Sequence, residues 1–342
     1  MAKKAADKLL DEFGMKASYR REFKFLSTGC YTLDWAVSGK FRGGGLPLGC
    51  VVEIFGPPAA GKSLLLNHLY TEAQKLGGFA WVDDTEYAFV PEFAEKVGVD
   101  LERVWFPKDD DGNLDPSITV EQHFERVKAL LEKIEASGAL DVPVVIALDS
   151  LGALSTKHEM DAGMEKRDLF KAQLIRKAMR LTQKLVSKTN VLYVVSNHSY
   201  DVIDIGPHRG AQRQEASGGK GLKFHSMSRI ELVLHGKLYD DKKKNCGVRT
   251  KAIVAKNRII PPFRDTWLSI YYDRGIDKYS YIFDILKQSG VISGGAGGWY
   301  TVEGYPDKKW KLNEIEESYE EIIDTVEGIK KESSEGKKAS DS

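Results

Sequence analysis

One stretch of the chain has the residue types and spacing that can hold a phosphate group. It matches the pattern G-x-x-x-x-G-K-[ST] at every fixed position and comprises Gly56, Pro57, Pro58, Ala59, Ala60, Gly61, Lys62 and Ser63. Glycines let backbone N–H groups turn toward phosphate oxygens, and a following helix points its positive end at the same anion. Lys62 would then bridge the terminal phosphates of a nucleotide, and Ser63 would bind Mg²⁺. The alternative is an ordinary strand–turn–helix connection.

Acidic residues that follow two other apolar runs are candidates for metal binding and catalysis. Asp149 ends one run, where a carboxylate would hold Mg²⁺ through water, and the alternative is an Asp-Ser pair that caps the next turn. Glu86 follows another run, where a carboxylate could orient or deprotonate an attacking water. On spacing alone, Asp83 and Asp84 compete with Glu86 for this role. A solvated acidic turn is the alternative for all three.

The hydrophobic pattern predicts the elements that position these residues. Short apolar runs alternate with helical patterns and cover 51–55, 79–82, 144–148 and 191–195. Continuous apolar strands of this kind indicate a mainly parallel α/β sheet with helices on both faces, whose ligands bind at the carboxyl ends of the strands. Helices are predicted at 63–76 and 166–188. Polar residues cluster at the strand ends and include Asn197 and His198.

The remaining chain divides into regions of different character. We expect an N-terminal helix with its linker, an α/β core, a small C-terminal domain and a disordered tail, at 1–30, 31–275, 276–331 and 332–342. Leu9, Leu10 and Phe13 form the apolar side of the first helix, which is too short to be stable without a packing partner. Further strands are predicted within 229–272. Residues 200–222 carry five glycines without strong periodicity, which predicts a long functional loop.

Composition limits the class of protein. The 342 residues include 50 Lys and Arg and 50 Asp and Glu, so the formal net charge is 0. This excludes a globally basic nucleic-acid coat and a highly charged disordered chain. Cys30, Cys50 and Cys246 lack the spacing of a disulfide framework or a zinc site. With no long apolar stretch and no signal-peptide core, we expect a cytoplasmic protein without a membrane partner.

Eight short motifs occur in an order that resembles the RecA recombinase family. They lie at 26–29, 44–47, 56–63, 84–88, 148–150, 217–219, 222–224 and 256–258. The resemblance extends to the Gly-Gly-Trp-Tyr segment at 297–300. The run 148–154 and the pair Asn197-His198 are closer to the phage branch, typified by UvsX, than to bacterial RecA.

The resemblance implies a fold, an activity and a set of partners. It implies a RecA-type P-loop ATPase core with a twisted, mainly parallel sheet, a short N-terminal helix for subunit docking and a small C-terminal α/β domain. The implied protein hydrolyses ATP with Mg²⁺ at the subunit interfaces of a helical filament on single-stranded DNA. It pairs that strand with double-stranded DNA in recombination and repair. Single-strand-binding and loader proteins are further expected partners, and a phage origin would place the protein in the host cytoplasm.

The resemblance also implies roles for individual residues. Glu86 corresponds to the catalytic glutamate, and Phe93 to an aromatic stacked on adenine, although a core aromatic is the alternative. His198 corresponds to a sensor of the γ-phosphate that relays to the DNA loops, where a purely structural histidine is the alternative. Lys256 and Arg258 match a basic pair that reaches the ATP of the neighbouring subunit. A solvated basic strand end is the other explanation for that pair.

DNA binding in this family uses two loops, which would lie near 157–169 and at 200–222. The residues expected to contact DNA are Arg176, Arg180, Arg209, Arg213, Gly218, Gly219 and Lys220. The helix that carries the first two has a predicted apolar face of Phe170, Leu174, Ala178 and Leu185. A solvated basic face is the alternative for its arginines. Phosphate contacts of this type predict little sequence preference and a strong dependence on salt.

Three other functions share part of the pattern. A ring-shaped RecA-fold ATPase or helicase acting on DNA has the same P-loop and the same kind of basic residue from its neighbour. A non-catalytic DNA-binding mediator is disfavoured by the intact Lys62, Ser63, Glu86 and Asp149. A small-molecule kinase is disfavoured because the long basic loop offers no evident acceptor site.

Overall fold

Strands and helices alternate through the part of the chain that the computed structural model describes, which is residues 7–8, 22–162, 170–202, 213–216 and 220–328. The strands are β1 (Phe25–Leu26), β2 (Leu46–Pro47), β3 (Cys50–Gly56), β4 (Phe79–Asp84), β5 (Val104–Trp105), β6 (Val144–Asp149), β7 (Val191–Val202), β8 (Arg213–Ala216), β9 (Ser228–Tyr239), β10 (Asn245–Asn257), β11 (Asp265–Tyr271), β12 (Gly275–Ile276), β13 (Ile292–Gly294) and β14 (Tyr300–Val302). The helices are α1 (Tyr31–Ser38), α2 (Lys62–Lys75), α3 (Pro91–Val97), α4 (Val120–Ser137), α5 (Lys157–Ala162), α6 (Lys171–Val186), α7 (Lys220–His225), α8 (Ile282–Gln288) and α9 (Leu312–Glu317).

A ten-stranded sheet organises these elements. Its strand order is β12-β11-β10-β9-β3-β7-β6-β4-β5, and β8 pairs with the end of β7. The six strands from β9 to β5 are parallel, whereas β10, β11 and β12 add to the β9 edge in antiparallel orientation. The mainly parallel α/β class predicted from the apolar runs is confirmed.

Apolar side chains cover both faces of the sheet, as continuous apolar strands require. On one face, Leu65 and Leu69 of α2 pack in a cluster with Ile54 of β3. On the other face, Phe124 of α4 and Met179 of α6 belong to a second cluster. The P-loop helix therefore packs on one face of the sheet, and the helix with the predicted DNA-contact arginines packs on the other.

The buried side of α6 differs from the sequence prediction. Its fully buried residues are Ile175, Met179, Thr182 and Val186, whereas Leu174, Ala178 and Leu185 are only partly buried. Phe170 precedes the helix and is 60% exposed. The buried face of α6 is thus rotated by about one residue from the predicted face. The helix has two adjacent rows of apolar residues, and the sequence alone does not say which row faces the core. Of the predicted helix 166–188, residues 166–169 lie outside the described part of the chain.

The region predicted as a loop at 200–222 contains regular structure. β7 continues past 195, and residues 199–202 pair in antiparallel register with 213–216. Helix α7 then packs closely on α6, since a Cβ on Gly221 would lie 3.1 Å from the backbone nitrogen of Arg176. The pairing provides hydrogen-bond partners for backbone groups, which a sequence pattern without periodicity does not reveal. Residues 203–212 and 217–219, which include Arg209, Gly218 and Gly219, are outside the described residues.

The C-terminal elements form a third apolar cluster that packs on α1. Trp310 is fully buried there, and Tyr31 of α1 belongs to the same cluster. Glu320 accepts hydrogen bonds from the Tyr31 hydroxyl (2.7 Å), from the Tyr279 hydroxyl (2.5 Å) and from Lys278 Nζ (2.6 Å). Burial opposes ionisation of Glu320, but these bonds and the Lys278 charge outweigh it and lower its pKa to about 2. Polar contacts therefore reinforce the apolar packing between α1 and the C-terminal elements.

The predicted N-terminal helix with Leu9, Leu10 and Phe13, and the predicted tail at 332–342, lie outside the described residues. Among the residues that are described, the helices are all too short or too polar to cross a bilayer.

A fully buried polar network connects β4, β7 and α4. The Nδ1 atom of His123 lies 2.6 Å from Asp83 Oδ2, and its Nε2 atom lies 2.8 Å from the Tyr193 hydroxyl. Asp83 also accepts a hydrogen bond from the backbone N–H of Ser117 at 2.8 Å. Burial alone would raise the pKa of Asp83, but the bonds and charge of His123 and the bonds of Ser117 lower it below 3.8.

We expect His123→Leu to lower the free energy of unfolding by about 3–5 kcal/mol, because it leaves a buried carboxylate without its partner. As a control, Lys188→Ala breaks the exposed ion pair with Glu135 and should cost less than about 1 kcal/mol. Urea denaturation at pH 7 measures both. Because the folded pKa of Asp83 is lowered, its contribution is present above 3.8 and is lost as pH falls through the folded value. An equal loss for the two variants would contradict this account.

Candidate functional site

The P-loop joins the end of β3 to the start of α2. Gly61 precedes the helix with a φ of 98°, and a Cβ there would lie 2.6 Å from Ile270 Cδ1, so this position requires glycine. Lys62 Nζ donates hydrogen bonds to the carbonyl oxygens of Gly56 (3.0 Å) and Pro57 (2.9 Å). The ammonium group therefore lies within the loop, where an incoming phosphate would replace the two carbonyls as its partner.

A hydroxyl and a carboxylate meet beside the P-loop. Ser63 Oγ donates a hydrogen bond to Asp149 Oδ2 at 2.7 Å. Burial raises the pKa of Asp149, and the negative charges of Glu86 and Asp84 raise it further. An ionised Asp149 in this position is short of positive charge, so the site favours a bound cation. Two hard oxygen donors of this kind fit Mg²⁺.

The donor set also indicates how a metal would be held. Within the described residues, no group of three or more His, Cys, Asp or Glu side chains is arranged to hold a metal ion. Mg²⁺ in phosphate-transfer sites takes only one or two protein oxygens and completes its shell with substrate phosphates and water. Ser63 and Asp149 are sufficient for that arrangement.

Glu86 is held by two side chains from neighbouring strand ends. Ser150 Oγ donates a hydrogen bond to Glu86 Oε1, and His198 Nε2 lies 2.7 Å from the same oxygen. Burial would raise the pKa of Glu86, but these two bonds and the charges of His198 and Lys62 outweigh it, so its pKa lies below 4.5. Glu86 is consequently a fixed, ionised carboxylate within electrostatic range of the P-loop lysine.

The other two acidic residues of this strand end have local structural partners. Asp84 accepts hydrogen bonds from the backbone N–H groups of Ala88 (3.1 Å) and Phe89 (2.8 Å), and so shapes the turn that carries Glu86. Asp83 belongs to the buried network with His123. Of the three carboxylates that spacing left open, Asp83 and Asp84 therefore hold local structure together, whereas Glu86 contacts Ser150 and His198 at the neighbouring strand ends.

Phe93 on α3 lies between the apolar core and a cavity. It is partly buried and packs against the apolar cluster of the P-loop face. It also lines a cavity shared with Ser63, Asp149 and Val90. An aromatic ring thus lies at the edge of the cavity that begins at the P-loop.

Lys256 and Arg258 lie at the end of β10, which β9 separates from the P-loop strand β3. Lys256 Nζ donates hydrogen bonds to the carbonyl oxygens of Lys223 (2.7 Å) and Phe224 (2.9 Å), and Arg258 Nη2 donates to Phe224 O (3.1 Å). Burial and the nearby charges of Arg258 and Arg229 lower the pKa of Lys256 to about 8. The structure does not bring this basic pair together with Ser63, Glu86 and Asp149 in one protomer's hydrogen-bond network.

The predicted DNA-contact arginines lie on the same basic surface as this pair. Arg176 and Arg180 are exposed on α6. Burial lowers the pKa of His225 at the end of α7, and the charges of Lys256, Arg258, Arg180 and Arg176 lower it further. Two other candidates lie nearby in the chain, with Arg213 on β8 and Lys220 at the start of α7.

Two serines of the site were not among the residues predicted from the sequence. Ser150 bonds to Glu86, and Ser196 is fully buried next to Asp149. Both stand at the carboxyl ends of apolar runs, directly beside residues that were considered. A polar residue within a run of buried strand residues was the available signal.

Comparisons with known proteins agree with this geometry. The family model described as the RecA N-terminal domain matches residues 5–277. The chain is similar to Protein RecA of Chlorobium limicola, with 32% identity over 87% of this chain and 80% of the relative. It is also similar to Protein RecA of Aquifex aeolicus, with 31% identity over 92% and 85% of the two chains, and of Chlorobium chlorochromatii, with 34% identity over 81% and 72%.

We expect Asp149→Asn to raise the free energy of unfolding at pH 7 by about 0.5–2 kcal/mol, the range typical when a functionally constrained residue is replaced. The folded protein raises the pKa of Asp149, so it loses stability as pH rises through that value and the carboxyl ionises. Asparagine does not ionise and avoids this loss. The difference between the variants should vanish at acidic pH. Asp141→Asn is the matched control, since an exposed bond with Lys24 lowers the pKa of Asp141 and the sign is reversed. A destabilised Asp149→Asn protein at pH 7 would contradict this view.

Proposed function

The chain belongs to the RecA family, and we propose that its P-loop, Glu86 and His198 form the ATP-hydrolysing site of this recombinase. As a family member it is an ATP-dependent homologous recombination protein. It is a DNA-dependent ATPase that converts ATP to ADP and phosphate, and it promotes strand exchange. The observation that supports the residue assignment is the meeting of Ser63 with Asp149 and of Glu86 with His198 at one edge of the sheet.

Binding of the triphosphate uses the loop and the start of α2. Backbone N–H groups of the P-loop and the N-terminus of α2 attract the β- and γ-phosphates. Lys62 exchanges its two carbonyl partners for phosphate oxygens. Ser63 and Asp149 hold Mg²⁺, which neutralises charge on the phosphate oxygens. Phe93 lies where it can cover the adenine at the other end of the cavity.

Hydrolysis needs a water aimed at the γ-phosphorus and a group that takes its proton. Glu86 is ionised at neutral pH, because its pKa is lowered, and Ser150 and His198 fix its orientation. The oxygen of the water bonds to the γ-phosphorus, the bond to the bridging oxygen of ADP breaks, and Glu86 accepts the proton. His198 contacts Glu86 and begins the segment of β7 that extends into the second loop. We therefore assign to His198 the coupling between the γ-phosphate and the DNA-binding loops.

The site becomes complete between subunits. We place Lys256 and Arg258 on the ATP of the adjacent subunit, where they stabilise charge on the transferred phosphoryl group. This arrangement requires a head-to-tail assembly, and the one proposed here does not close, so that it forms a helical filament. Single-stranded DNA is the assembly's proposed substrate and double-stranded DNA its pairing partner, with single-strand-binding and loader proteins as accessory factors. Its proposed DNA contacts are Arg176, Arg180, Arg209, Arg213, Gly218, Gly219 and Lys220.

We expect single-stranded DNA to stimulate ATP hydrolysis by the wild type and not by Lys62→Ala, which removes the phosphate-binding cation. Glu86→Gln should retain ATP binding but lose about 10²–10⁴-fold in hydrolysis rate, since it cannot accept a proton. Phosphate release and fluorescent-nucleotide binding measure the two properties. Glu316→Gln, an exposed carboxylate of α9, is the control and should behave as wild type. Hydrolysis indifferent to DNA in the wild type would contradict the proposed coupling.

Mixing two inactive variants tests the shared site. Lys62→Ala lacks its own P-loop lysine, and Arg258→Ala lacks the residue offered to the neighbour. In an equal mixture, about a quarter of head-to-tail interfaces combine an intact P-loop with an intact basic residue, so ATPase activity should return to about that fraction. A mixture that stays as inactive as its components would place Arg258 outside the site. Electron microscopy of the same mixture distinguishes an open filament from a closed ring.

A further inference from the structure

Ser196 lies in β7 two residues before His198, which pairs with the first P-loop residue, Gly56. In β7 it pairs with Ile54 of β3, and the preceding residue pairs with Leu148 of β6. Asp149 and Asp84 pair with each other on the next strands. Residues that are aligned across parallel strands point to the same face of a sheet. Ser196 is therefore on the α2 face, in line with the carboxylate that Ser63 contacts.

The hydroxyl of Ser196 is in an unusual environment for a core position. Its residue is 0% exposed, and its Oγ has no hydrogen-bond partner among the described residues. A buried hydroxyl without a partner is costly, and such groups in native structures commonly reflect a functional requirement. An aliphatic residue would fill this position without that cost.

We propose that Ser196 is a positioning residue that orients Asp149 for Mg²⁺, an inference that rests on the metal site proposed above. Ser63 donates to Asp149 Oδ2, and when Mg²⁺ binds, the unpartnered Ser196 hydroxyl would turn to donate to Oδ1. With both oxygens fixed, the carboxylate meets the metal and its water in one orientation. Partners that orient metal-binding carboxylates act in this way in other metal sites, where their loss costs roughly 10–100-fold in metal affinity.

The position of Ser196 also explains why this role falls to β7. Asn197, the next residue, points to the opposite face, where its Nδ2 donates to Glu53 Oε1 at 3.1 Å, and Glu53 pairs with Arg229. His198 follows and contacts Glu86. Since Asn197 and His198 have these other partners, Ser196 is the residue of this strand end aligned with Asp149.

The test compares Ser196→Ala, Ser196→Thr and the wild type. Binding of a fluorescent N-methylanthraniloyl-ATP is titrated with Mg²⁺ and repeated in excess EDTA. We expect Ser196→Ala to need about 10-fold more Mg²⁺ for half-maximal binding, in line with the loss of an orienting partner, and to match the wild type in EDTA. Ser196→Thr keeps the hydroxyl and should need nearly the wild-type concentration. Loss of the hydroxyl should also raise the urea midpoint of the nucleotide-free protein, because an unsatisfied buried group is removed.

A control separates positioning from packing. Thr250 on β10 is likewise fully buried with an unpartnered hydroxyl, but it pairs with Leu234 and Leu268, away from the strand ends that carry Asp149 and Glu86. Thr250→Val should raise the urea midpoint and leave the Mg²⁺ requirement unchanged. If Ser196 were purely structural, Ser196→Ala would not stabilise the protein and at the same time raise its Mg²⁺ requirement.

Several results would overturn the proposal. An unchanged Mg²⁺ requirement in Ser196→Ala would do so, as would an equal shift in Thr250→Val. A Ser196→Thr protein that keeps the wild-type urea midpoint but needs as much Mg²⁺ as the alanine variant would also overturn it. If the wild type binds the nucleotide equally with and without Mg²⁺, the metal site of the proposed function is itself wrong, and that outcome is separate from the other three.

Discussion

The parallel register of β3, β7, β6 and β4 is the constraint on which the candidate site depends. These strands end at one edge, so the P-loop, His198, Asp149 and Glu86 emerge together although up to 142 positions separate them in the 342-residue chain. Parallel strands need crossover connections, and here helices provide them and bury both faces. A slip of one residue in β7 would turn Ser196 to the opposite face and His198 away from Glu86.

This edge concentrates negative charge that the protein does not fully balance. Asp84 and Glu86 both lie within electrostatic range of Asp149, and Lys62 is the P-loop cation near Asp149 and Glu86. Burial raises the pKa of Asp149 and lowers that of Lys62. Both groups are therefore destabilised in the ionised state that phosphate chemistry requires. Perturbations of this kind cluster at functional sites because a bound ligand relieves them. A triphosphate with its cation does so by giving Lys62 an anion and Asp149 a positive charge.

The sequence was informative wherever a local pattern dictated one structure. The P-loop glycine at Gly61 has the positive φ that its spacing suggests, and the apolar runs became the central parallel strands. The choice among Asp83, Asp84 and Glu86 could not be made from spacing, since it depends on His123 and on backbone groups 4 and 5 residues further on. The α6 stripe was misplaced because two adjacent rows are apolar. The β7–β8 pairing was missed because its partner strand is short and polar.

In the proposed assembly, the basic pair at the end of β10 must leave its present partners to reach the neighbouring subunit's nucleotide. Lys256 and Arg258 donate to the last carbonyl groups of α7, where cations interact favourably with the negative end of a helix. Phosphate is a stronger partner for such cations than a neutral carbonyl. Reaching a neighbour's phosphate therefore requires the pair to exchange one partner for the other. Helix α7, whose carbonyl groups hold the pair, packs closely against α6 at Gly221, so the basic pair and the arginines of α6 belong to one packed unit.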